Sequence, residues 1–117
     1  MAIRLVKDRI FRTELQALAG EAFPPTIKVV ADLQRRILGF GGRMHKDIEI
    51  MLLADGSQLK DIWGFNLCLD RPWPDVFEFR SNINVRPHDG NMSIQIRDEK
   101  ICQALVVLAA ERIDWDA

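Results

Sequence analysis

Apolar and polar residues alternate in more than one rhythm along this chain, and the changes of rhythm mark out its elements. Ile3-Arg4-Leu5-Val6 is a short apolar run that suits an edge strand. From Thr13, a candidate N-cap, the apolar residues Phe11, Leu15, Leu18, Ala19 and Ala22 recur at helical spacing until Pro24-Pro25 stops them. The second proline can open the next helix, which the spacing predicts over 26–38. Ile27, Val30, Ala31, Gln34, Ile37 and Leu38 would form its inner face, with Lys28, Asp32, Arg35 and Arg36 around the rest. Gly39 and Gly41-Gly42 end it.

Residues 41–68 then read as a β-hairpin about Asp55-Gly56, a dipeptide that tolerates positive φ at both turn centres. A two-residue loop there sorts the side chains into two faces. Ile48, Ile50, Leu52, Leu59, Trp63, Phe65 and Leu67 form an apolar face; His45, Asp47, Glu49, Gly64 and Asn66 form a polar one. Residues 69–75, with Trp73 between two prolines, read as a loop, and Trp73 is expected to pack over the sheet edge. Residues 76–86 alternate again, and a turn at 87–91 leads into a partner strand at 92–97. Asp98 is placed to cap a final helix over 99–112, with Ile101, Leu105, Leu108 and Ala109 as its core stripe. The expected fold is α+β: a two-layer sandwich in the order (β)ααββββα, with an antiparallel meander whose helices lie on one face.

With 117 residues, the chain suits a single domain able to bury its own core. Apolar residues make up 48% and charged residues 28%, a globular composition. A net charge of −1 argues against a general nucleic-acid binder. Cys68 and Cys102 sit in apolar runs without a CxxC and are expected to be free thiols. No secretory h-region and no apolar run of roughly 18 residues is visible, so no membrane span is expected and a cytoplasmic setting is. Val106 and Val107 widen the stripe of the last helix beyond what one sheet face needs, which suggests a homodimer contact.

The polar sheet face is the candidate site. It would collect His45, Asp47, Glu49, Asn66, Glu78, Arg80, Asn82, Asn84, Arg86, Ser93, Gln95 and Arg97. An open sheet face of any protein carries such residues, but asparagine is a poor strand former and three stand here. Gly64 in mid-strand further suits close approach by a ligand or another backbone. His45, Asp47 and Glu49 are candidates for acid–base chemistry; Asn66, Arg80, Asn84 and Arg86 are candidates to hold a small anionic ligand, phosphate-containing molecules among them. On one strand, side chains two residues apart lie about 7 Å from each other. His45 and a carboxylate therefore reach one ion only if the strand bends, and no metal or cofactor is assigned. Whether the chain is an enzyme stays open.

The pattern GG..H.D.E, DGS, WG.N, S.INVRP and GN.S resembles that of a family of small bacterial and archaeal proteins with no assigned function. It spans residues 41–93 and implies a shared fold without a chemistry. The predicted element order is also similar to that of small ribonuclease toxins of bacterial toxin–antitoxin pairs, which are typically basic. Three readings follow: a binder of, or enzyme acting on, a small anionic ligand; an RNA-acting toxin-like protein; and a protein-interaction module.

Overall fold

The structure is a computed structural model that describes residues 2–116. Strand β1 (Ile3–Val6) is the expected edge strand, and a two-residue strand β2 (Ile10–Phe11) leads into helix α1 (Arg12–Ala19). The helix expected over 26–38 is instead a hairpin of β3 (Thr26–Asp32) and β4 (Ile37–Gly41). Thr26, Ile27, Val29 and Val30 explain this: β-branched side chains lose rotamers in a helix and pack well on a pleated surface. Asp32 shapes the turn, its Oδ1 accepting the N–H groups of Gln34 and Arg35 at 2.9 Å each.

The hairpin expected about Asp55-Gly56 is also replaced, because residues 45–54 form a helix, α2 (His45–Ala54). Ile48 and Leu52, four apart, are fully buried, and each such burial is worth about 1.5–3 kcal/mol. Asp55-Gly56 ends that helix. Gly56 adopts φ +112°, its N–H donates to Leu53 O at 3.1 Å, and the Ser57 N–H donates to Leu52 O at 2.9 Å. These crossed bonds satisfy the last carbonyls of the helix. A positive φ serves a helix end as well as a hairpin turn, so the dipeptide fits both.

Strand β5 (Ile62–Cys68) pairs with β3, and β6 (Phe77–Glu78) with β5, completing an antiparallel sheet in the order β1-β4-β3-β5-β6. The long strand expected over 76–86 stops at Glu78. Beyond it lie an isolated bridge, Arg80↔Gln95, and single 3-10 turns at Asn82–Asn84 and Pro87–Asp89. Two asparagines and a proline are weak strand formers there. Trp73 packs edge-on against Phe77, ring centroids 5.0 Å apart. Helix α3 (Glu99–Arg112) matches its expected bounds, with Asp98 Oδ1 accepting the Lys100 N–H at 2.9 Å. A last strand, β7 (Ile113–Asp114), pairs parallel to β2.

The α+β class and the antiparallel sheet are as expected, but the order is ββαββαββαβ and the helices divide between the faces. Leu15 of α1 and Leu105 and Leu108 of α3 join Val29, Leu38, Phe40 and Phe65 in the larger core. On the opposite face, α2 packs through Ile48 and Leu52 onto Val30, Ile37 and Ile62. Gly39 permits this approach, since a Cβ there would overlap Ile48 Cγ2. Asp55 pairs with Lys7 at 3.0 Å and Arg35 at 2.8 Å, fastening the end of α2 to the β3–β4 turn. Among the described residues, no helix is long and apolar enough to cross a membrane.

Candidate functional site

Three sheet residues stand in one cross-strand row: Lys28 opposite Asn66, and Asn66 opposite Glu78. Strand alternation puts them on the face that carries Val30, the α2 side. Helix α2 starts close to this row. Gly41 and Gly42, at φ +101° and +77°, turn the chain from β4 toward it. Its N-cap is Met44, whose side chain makes no capping bond, and the positive end of the helix is thereby left without a side-chain acceptor. Arg43, His45 and Lys46 from this start, the sheet row, and Arg80 to Ile83 from the opposite rim enclose a cleft of about 300 Å³.

Four cations, Lys28, Arg43, Lys46 and Arg80, line the cleft against one carboxylate, Glu78. Lys46 pairs with Glu49 at 2.5 Å. Among the described residues, Lys28, Arg43 and Arg80 join no ion pair. Asn66 Nδ2 donates to Glu78 Oε1 at 2.9 Å, while Asn66 Oδ1 is buried without a hydrogen-bond partner.

His45 lies 2.8 Å, through Nε2, from the Phe65 carbonyl. A carbonyl only accepts, so Nε2 carries the proton. Burial lowers the pKa of the ring below its ordinary 6.5; the Phe65 bond works against that shift and the Lys28 charge adds to it. At neutral pH His45 is therefore an uncharged ring with Nδ1 as its acceptor.

Of the other expected site residues, Arg80 and Asn66 meet His45 in the cleft, and Asp47 and Glu49 do not. The strand that would have aligned all three acid–base candidates is a helix. Asp47 lies roughly 200° around it from His45 and is exposed. Glu49, one turn on, is buried and lines a second cleft of about 440 Å³. Among the described residues, no three of His, Cys, Asp and Glu are grouped to hold a metal ion.

Asn84 and Arg86 serve the framework. β6 pairs only with Asn66 and Leu67, so the first half of β5 lacks a strand on that side. The Asn84 amide supplies both missing bonds at Gly64, accepting its N–H and donating to its carbonyl at 2.8 Å each. Arg86 Nη2 donates to the Ile62 carbonyl, and its guanidinium lies 4.6 Å over the Trp63 ring. Asn91 Nδ2 in turn donates to the carbonyls of Asn84 and Ser93. Gly64 is required by this arrangement, since a Cβ would stand 2.7 Å from Ser81 Cβ. The two positions thus bind β5 where a ligand was expected.

Sequence reasoning missed Lys28, Arg43 and Lys46. A signal was present in Gly41-Gly42-Arg43-Met44-His45-Lys46: paired glycines and basic residues just before an apolar i, i+4 pattern suit an anion at a helix start.

Fold and site together define a small α+β protein with a basic cleft where one helix starts over an antiparallel sheet. The chain belongs to the family DUF5674, described as proteins of unknown function, which matches residues 4–111. No curated protein and no solved structure matches it. The ββαββαββαβ order also differs from the order on which the likeness to ribonuclease toxins rested.

Proposed function

We propose that this protein binds a small anionic ligand, phosphate-containing, in the cleft at the start of α2. One observation carries the reading: three cations that join no ion pair among the described residues line a single concavity with an uncapped helix start. Unpaired cations and free N–H groups gain most from an anion that supplies several acceptor oxygens. His45 lines the same cleft with Nε2 held by the Phe65 carbonyl, which leaves Nδ1 to accept a hydrogen bond.

Titration calorimetry with inorganic phosphate at low ionic strength tests this. Wild type should bind, and Arg80→Ala and Lys28→Ala should each weaken binding about tenfold, as losing one charge-assisted contact of roughly 1.5 kcal/mol implies. Arg80 is exposed and the half-buried Lys28 side chain holds no ion pair among the described residues, so the melting temperature should move little. Wild type that shows no phosphate heat, or variants that bind as well as wild type, would refute the reading.

The two free thiols support a reducing, cytoplasmic setting. A homodimer through α3 is a second reading, supported by an apolar groove that Phe79, Cys102, Val106 and Val107 line. Sedimentation of wild type against Val107→Glu tests it: a dimer should dissociate in the variant, and a monomeric wild type would end the idea.

A further inference from the structure

Glu49 and Arg86 are both more than nine-tenths buried, and both line the second cleft. Each has unused hydrogen-bonding capacity. Arg86 Nη2 is taken by Ile62 O, but Nη1 is buried with no partner. Glu49 Oε1 is taken by Lys46, and Oε2 accepts nothing among the described residues. A buried donor left unmade costs about 1–3 kcal/mol, more when charged, so a built-in guanidinium with a spare N–H points to an acceptor that arrives from outside. A second anion does not suit the cleft, because Glu49 would repel it. A ligand that shows an acceptor beside a donor suits both groups.

The first and second clefts share Met44, Lys46, Asn82 and Ile83 as walls. Along α2, Glu49 lies one turn from His45, a rise of about 6 Å. Resting on the anion-binding reading of the first cleft, we propose that the two clefts form one site for a nucleotide with a lactam-type base, guanine above all. The phosphate sits at the start of α2 and the base edge meets Glu49 and Arg86. Guanine offers N1–H and the 2-amino group to the Glu49 carboxylate, and O6 to the Arg86 guanidinium, whose Nη1, buried in the free protein, turns toward the cleft to meet it. Adenine and cytosine present a bare ring nitrogen at the corresponding position, which repels the carboxylate. Leu59 and Val85, apolar and exposed at the cleft, give a planar ring something to lie against.

Calorimetry with inorganic phosphate, guanosine monophosphate and adenosine monophosphate at one ionic strength tests the assignment. Wild type should bind the guanine nucleotide at least tenfold more tightly than either of the others. Glu49→Gln should abolish the preference over adenine while leaving phosphate affinity unchanged or higher, since it releases Lys46. Leu59→Arg, an exposed change that fills the second cleft, should do the same, so the outcome does not depend on how one variant folds. Equal affinity for all three ligands, an adenine preference, or a guanine preference that survives both variants would overturn the nucleotide assignment and leave the anion reading standing. Absence of phosphate binding in wild type would remove both.

Discussion

His45 links protonation to stability. The ring is buried and held by the Phe65 carbonyl, and its pKa in the folded chain lies below 6.5. The unfolded chain therefore binds more protons between the folded value and 6.5, and stability rises with pH across that interval. Its contribution is fully present above about pH 6.5 and is lost as pH falls toward the folded value. Urea midpoints measured from pH 5 to pH 8 should show this loss in wild type and a flatter acid limb in His45→Gln. An identical acid limb in the variant would assign the loss to other groups. Asn84 tests a different role. Asn84→Ala strips a partner from the N–H and C=O of Gly64 and from Ile94 O. It should destabilise the fold by about 2–4 kcal/mol in a urea melt, since each buried group left unmade costs about 1–3 kcal/mol. A loss under about 0.5 kcal/mol would mean that water replaces the amide.

Helix α2 and the β3–β4 hairpin show which elements the residue pattern discloses. Helix α3 was legible to the residue, because a capping Asp98 and a stripe at 101, 105, 108 and 109 admit one interpretation. The edge strand and the turn at 87–91 were legible too, although the partner strand expected over 92–97 is reduced to an isolated bridge at Gln95. Residues 45–54 were not, because His45, Asp47 and Glu49 alternate by chance with Ile48, Ile50 and Leu52, and Asp55-Gly56 suits a hairpin turn and a helix end alike. Residues 26–32 mislead in reverse, since apolar positions at helical offsets hide a run of β-branched side chains. Of the site, His45, Asn66 and Arg80 were legible as polar residues of one region. Lys28 was not, because its neighbours depend on cross-strand register, which the order of elements sets. Packing of α2 on the sheet supplies its own test. Gly39→Ala drives a methyl group into Ile48; overpacking of this kind costs about 1–3 kcal/mol. The variant should melt lower and also bind phosphate more weakly, because the start of α2 moves with Ile48. Unchanged melting would show that α2 is not seated as described.

Across the whole molecule, a net charge of −1 conceals an uneven distribution. Among the described residues Lys28, Arg43 and Arg80 join no ion pair, as Arg12, Lys60 and Arg71 elsewhere do not; what sets the cleft apart is that four cations line it against one carboxylate. Field focused in one concavity attracts an anion even when the total charge is near zero. Salt screens exposed charges beyond roughly 10 Å at 0.1 M, so phosphate affinity should fall as sodium chloride is raised toward 0.5 M. Affinity independent of salt would place the ligand away from these side chains. The most direct test of the basic cleft is a phosphate titration followed by backbone amide chemical shifts in an assigned ¹H–¹⁵N spectrum. The largest changes should fall on His45, Lys46 and Asp47 at the start of α2, with smaller ones at Asn66 and at residues 80–82. Shifts confined to α3, or none at millimolar phosphate, would contradict the account.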